Sequence, residues 1–113
     1  MLKSIEADRI IELNAADTFA DGIAVRKPGE INFKIVKKYV DSIVTVSDEE
    51  IKYAVFTLAK EAKVIAEGAG AASVAALLSK KIDTKNISNI VCIISGGNID
   101  IDTLEGILDN FNK

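Results

Sequence analysis

Histidine is absent from this chain of 113 residues. Its absence excludes histidine-based triads, histidine general bases and histidine-ligated metal sites. Cysteine occurs once, as Cys92, so no intrachain disulfide can form, and its place inside an apolar run makes a small buried core residue the expected role. With no disulfide framework, and no charged-then-apolar leader in MLKSIEADR, a reducing cytoplasmic compartment is expected. Aromatic residues make up 5% of the chain and the basic residues are scattered, which leaves no nucleic-acid footprint. No apolar run approaches the roughly 18 residues that cross a bilayer. Internal repeats and low-complexity tracts are also missing.

What remains fits one domain over residues 1–113, with 49% hydrophobic residues for a core and 14 basic against 17 acidic side chains for a net charge of −3. The chain is arranged around Asn89–Asp102, NIVCIISGGNIDID. Ile90, Val91, Cys92, Ile93 and Ile94 form a continuous apolar run, β-branched at four of five positions. Such a run suits a strand buried on both faces of a parallel sheet. It stops at Ser95-Gly96-Gly97-Asn98, where two glycines let the backbone turn and approach a ligand closely. A helix follows, with Asp102 as candidate cap, Glu105 three residues on, and Leu104, Ile107, Leu108 and Phe111 on one face. Open α/β sheets bind ligands at such a place. Read alone, the same turn also serves as a plain connection whose serine caps nearby backbone.

Taken in order, Met1–Asn14 carries little pattern, with Ile10, Ile11 and Leu13 the only candidates for a short strand. Residues 18–25, TFADGIAV, read as a helical fragment or loop passing through Gly22, and Arg26-Lys27-Pro28-Gly29 as a turn. Ile31, Ile35, Val36, Tyr39 and Val40 give a helix over Glu30–Val40, with Lys34, Lys37 and Lys38 on its solvated side. Ser42–Val46 is a second β-branched strand. Ser47 and Glu50 form a capping box, opening a helix with Ile51, Ala54, Val55, Leu58, Ala59 and Ala62 on one stripe. That helix breaks over Val64–Gly70, and a small-residue helix then runs to about Lys81, apolar almost all round and therefore suited to an interior. Glu67 stands at its mouth, where it favours the positive end of the helix dipole or serves a site. Two strands buried on two faces need more cover than these elements offer, so the chain is expected to belong to a larger sheet.

Four stretches stand in fixed order: TFADGIAV with RKPGE (18–30), DSIVTVSDEEI (41–51), VIAEGAGAASVAALLS (64–79) and IISGGNID (93–100). Together they resemble the C-terminal part of threonine dehydratase (threonine ammonia-lyase), a pyridoxal-phosphate family with the tryptophan synthase β-like fold, over about Leu2–Phe111. The resemblance implies an α/β fold class, namely a partial three-layer sandwich with a short, mostly parallel sheet flanked by helices. It also implies that Ser95 hydrogen-bonds the pyridine nitrogen of pyridoxal 5'-phosphate. Gly22 would lie with its backbone against the cofactor, Glu67 near the ring, and Gly96 and Gly97 low beneath it. A neutral hydroxyl partner gives a weaker electron sink than an aspartate, which suits β-elimination of a hydroxyl.

The family's Schiff-base lysine, its phosphate-binding glycine loop and its substrate-carboxylate loop have no match here. Asn32-Phe33-Lys34-Ile35 imitates the lysine motif, but Val36-Lys37 stands where Arg-Gly belongs, so Lys34 is rejected. The resemblance thus implies a segment with no catalytic residue and no metal site, inactive alone and weak or empty toward the cofactor. Its implied partners are a missing N-terminal half carrying the lysine, a small amino-acid substrate and further copies of itself, with no nucleic acid or membrane. Two alternatives stay open. One is a serine racemase or serine dehydratase relative, although Glu67-Gly68-Ala69-Gly70 leans toward threonine dehydratase. The other is a non-catalytic binding or interaction module, against which Asp100 and Asp102 argue where anion capture is concerned.

Overall fold

A computed structural model describes residues 1–112 of the chain. The described residues form two compact units, Met1–Thr18 with Ala24–Val44, and Phe19–Ile23 with Thr45–Asn112.

In the first unit, α1 (Leu2–Glu6) occupies a stretch in which the sequence shows no periodicity. Five residues are too few to display one. Asp8 adopts a left-handed conformation, and the Asp8 and Arg9 amides close the helix onto the Ile5 and Ser4 carbonyls. The Ser4 side chain, 1% exposed, accepts from the Ile11 amide at 2.9 Å. Ile10, Ile11 and Leu13 form no strand; the Leu13 amide and carbonyl instead pair with the Arg26 carbonyl and Nε. α2 (Glu30–Tyr39) falls where the spacing puts it, but none of its residues is buried and Ile31, Ile35 and Tyr39 are exposed. Lys37 reaches the Asp8 carboxylate, and Lys34 is exposed.

In the second unit, α3 (Asp48–Thr57) opens on the expected capping box. The Glu50 amide donates to Ser47 Oγ at 3.2 Å, and the Ser47 amide donates to the Glu50 carboxylate at 2.7 Å. A π-helical turn, Leu58–Ala62, prolongs it, and left-handed Lys63 ends it. The expected stripe is buried at Ile51, Ala54, Val55 and Leu58, together with Phe56, whereas Ala59 is half-buried and Ala62 exposed. α4 (Gly68–Leu78) follows. Its Ala71 and Ala75 are fully buried on the core, but Leu78 is exposed, so only one side of this helix is interior. α5 (Ile101–Phe111) starts earlier than expected. Asp100, not Asp102, is the cap, its carboxylate accepting from the Thr103 amide at 3.1 Å. The predicted face holds, with Ile107 buried and Leu104, Leu108 and Phe111 packed against the core. Phe111 meets Tyr53 edge-on with ring centroids 5.6 Å apart, joining α5 to α3.

The two expected strands do not form among the described residues. Among the described residues neither 42–46 nor 90–94 enters a ladder, and all regular structure is helical. Burial on two faces fails as well, because Val91 and Ile93 are 87% and 74% exposed. Cys92 is half-buried rather than buried, its Sγ 3.9 Å from the Ser73 carbonyl oxygen. The physical reason is local. A strand needs a partner to satisfy its amides and carbonyls, and the neighbour of 90–94 within this unit is the helix α4. Ser73 Oγ donates to the Ile93 carbonyl at 2.8 Å, so α4 holds one side of the run and leaves the other open.

Candidate functional site

Gly22, Glu67, Ser95, Gly96 and Gly97 all belong to the second unit. A 3₁₀ turn, Asp21–Ile23, carries Gly22. The turn is anchored on the Phe19 side, where the backbone amide donates to the Asp48 carboxylate at 3.0 Å and the ring lies over Gly68. A Cβ placed on Gly68 would stand 2.8 Å from that ring, so the first residue of α4 must be small. A Cβ on Gly22 would lie 3.0 Å from Ala69 Cβ and 3.4 Å from Glu67 Oε1. Gly22 is thereby brought to the entrance of α4.

Glu67 is the N-cap residue of α4, yet its side chain caps no amide of that helix. It turns instead to the loop after the apolar run. Its carboxylate accepts from the Asn98 amide at 2.9 Å, and its own amide donates to the Gly96 carbonyl at 3.1 Å. Gly96 lies flat against the carboxylate, since a Cβ there would come within 2.6 Å of both Glu67 Cδ and Oε1. A Cβ on Gly70 would collide with the Gly96 carbonyl oxygen, and one on Gly97 would stand 2.6 Å from the Ile65 carbonyl oxygen. The stretch 65–70 and the loop 96–98 therefore touch backbone to backbone, which only glycine permits. This interlock was hidden from sequence reasoning, because the partners are about thirty residues apart and no local pattern links them.

Ser95 is exposed, and no hydrogen bond engages its hydroxyl among the described residues. It is a neutral group that can donate one hydrogen bond and accept two. Glu67 Oε1 likewise has no amide or hydroxyl donor among the described residues. Gly22 and Gly96 thus both lie against Glu67, and Ser95 and Gly97 flank Gly96 directly in sequence. The Ser95 hydroxyl has the chemistry to serve the acceptor nitrogen of a flat heteroaromatic ring, as a neutral partner that could donate to it. Two nearby concavities lie elsewhere, one of about 350 Å³ lined by Phe19, Lys52 and Thr103, the other of about 160 Å³ lined by Ile82, Ile87 and Val91. No group of three or more metal-ligating side chains occurs among the described residues, and no helix there is long and apolar enough to cross a membrane.

Residues 1–96 match the family described as pyridoxal-phosphate dependent enzyme. The chain is 47% identical over 109 residues to an L-threonine ammonia-lyase of Thermotoga maritima, which covers 96% of this chain and 27% of that relative. Among solved structures, the processed form of threonine deaminase isoform 2 from Solanum lycopersicum superposes with a TM-score of 0.82 at 30% identity, covering 98% of this chain and 31% of that one. Serine racemase from Dictyostelium discoideum superposes with a TM-score of 0.78 at 35% identity, covering 88% and 32%. The chain thus spans about a quarter to a third of the length of the relatives it matches. On the match over residues 1–96, more than half of its length, the chain belongs to the pyridoxal-phosphate dependent enzyme family.

Proposed function

We propose that this chain is the C-terminal segment of a cytoplasmic, pyridoxal-phosphate dependent threonine dehydratase. The whole enzyme converts threonine, and serine, to the 2-oxo acid and ammonia by β-elimination. The observation that carries this reading is the free Ser95 hydroxyl, at the end of the apolar run and next to Gly96, which packs with Gly22 against Glu67. When bound, pyridoxal phosphate supplies the electron sink that makes removal of the substrate α-proton accessible. Ser95 would give the ring nitrogen a neutral hydrogen-bonding partner, which favours an uncharged nitrogen. Gly22, Gly96 and Gly97 would let the backbone lie close to the cofactor, and Glu67 would stand near it. The lysine that takes the α-proton lies outside these 113 residues. Lys34, exposed on α2 and followed by the wrong neighbours, does not take its place.

The remainder of the enzyme also supplies the strands that 42–46 and 90–94 lack, which completes a parallel sheet between two helical layers. The complete enzyme is a homo-oligomer. A racemase or dehydratase acting on serine is the second reading, supported by the likeness to the Dictyostelium racemase. Purified chain is expected to give no oxo acid from threonine with added cofactor. Combined with the complementary portion of the Thermotoga maritima relative, it is expected to give turnover that Ser95→Ala lowers sharply. Steady turnover by the chain alone, or turnover in the mixture indifferent to Ser95→Ala, overturns the proposal. Formation of D-serine in place of oxo acid moves it to the second reading.

A further inference from the structure

We infer that Glu67 is a positioning residue that acts through the Ser95–Asn98 loop rather than on the cofactor, holding the loop in the one conformation that presents the Ser95 hydroxyl. The inference rests on the proposed role of Ser95. Its own support is the geometry of residue 67, which grips the loop at two points. The Glu67 amide holds the Gly96 carbonyl at 3.1 Å and the Glu67 carboxylate holds the Asn98 amide at 2.9 Å. The two grips bracket Gly97, whose Cα approaches the Ile65 carbonyl too closely to bear a side chain. The carboxylate itself is wedged between Gly22 and Gly96, at distances that a Cβ on either would reduce to 3.4 and 2.6 Å.

A glutamate serving only the helix dipole would point along the α4 axis and cap one of its first amides, and this side chain caps none. One serving only the ring would leave the loop amides to water. Here Oε2 is committed to the loop, and Ser95 immediately precedes the residue that the Glu67 amide fixes. A short Gly-Gly loop has wide conformational freedom, so without these grips the serine would sample many positions.

Amide hydrogen exchange on the full chain tests this, with the α3 amides as the reference for folding. Glu67→Ala is expected to speed exchange at Asn98 by roughly ten- to a hundredfold, as for loss of one hydrogen bond to a charged acceptor. Glu67→Gln, which keeps an acceptor oxygen in place, is expected to restore most of the protection; a purely electrostatic role would not be rescued this way. Ser95→Ala is expected to leave Asn98 protection unchanged, so failure of the clamp and failure of the proposed role for Ser95 are read separately. Unchanged exchange at Asn98 in Glu67→Ala, with α3 intact, overturns the inference, as does a Gln variant no better than Ala. Should Glu67→Ala unfold α3, Gly96→Ala decides. Its methyl displaces the carboxylate, so Asn98 protection falls if the clamp holds the loop and stays unchanged if it does not.

Discussion

A methyl group added at Gly106, in the interior of α5, would meet no heavy atom within 4 Å. The same group added at Gly96 would be driven into the Glu67 carboxylate. Glycine in a helix interior costs about 1 kcal/mol relative to alanine, through the freedom it retains in the unfolded chain. Gly106→Ala is therefore expected to raise stability by about 1 kcal/mol, read as a higher urea midpoint with an unchanged slope. A lower midpoint would show that the space around 106 is not open. At this scale the sequence was informative where chemistry and position coincide. Ser95 stood out because its SGGN motif resembles that of the family, and the structure leaves its hydroxyl uncommitted. Glu67 stood out by its place at a helix mouth and by the resemblance of its EGAG motif. Its hydrogen bond to the Asn98 amide spans 31 residues, a relation no local motif encodes.

Among the helices, α3 was the most legible because two independent signals agree on it, a capping box and an apolar stripe. α5 was legible in its face but not in its start, since Asp100 and Asp102 are equally able caps and the fold chose the one whose carboxylate reaches the Thr103 amide. α1 was illegible for want of length. The end of α4 was also unreadable. There Lys80 takes the left-handed position that glycine usually fills, while the Lys80 and Lys81 amides close onto the Leu77 and Ala76 carbonyls. The α3 cap has a titration of its own. The Ser47 amide, and then Lys81 at 3.2 Å, hold the Glu50 carboxyl below the ordinary glutamate value. A lowered value in the folded state means that the ionised form is favoured there. Its contribution is complete above the unfolded value and is lost as pH falls through the lowered one. Urea midpoints measured down through the acid range should therefore show a decline in the native chain that is smaller in Glu50→Gln. Superimposable pH profiles would remove Glu50 from the account.

At the level of the whole molecule, the open side of the run 90–94 is the feature that local reasoning could foresee only in part. The β-branched composition marked these residues for burial, and among the described residues that burial is not met. Val91 and Ile93, largely exposed side by side, form an apolar strip of the kind that draws other chains to it. The isolated chain is expected to self-associate. Replacing both with lysine should lower the mass seen by light scattering while helical content is kept, because neither side chain contributes to the buried core. Persistent association of the double variant would assign the attraction to another surface. The close fit between Gly70 and Gly96 bears on how this chain can change length over time. Two stretches that meet with no room for a methyl tolerate no added or deleted residue near their junction. Extra length between them has one place to go, the solvent-facing passage from 80 to 89, where an insertion lengthens a surface loop at slight entropic cost. Length differences among kindred chains should accordingly gather there and spare the stretches on either side.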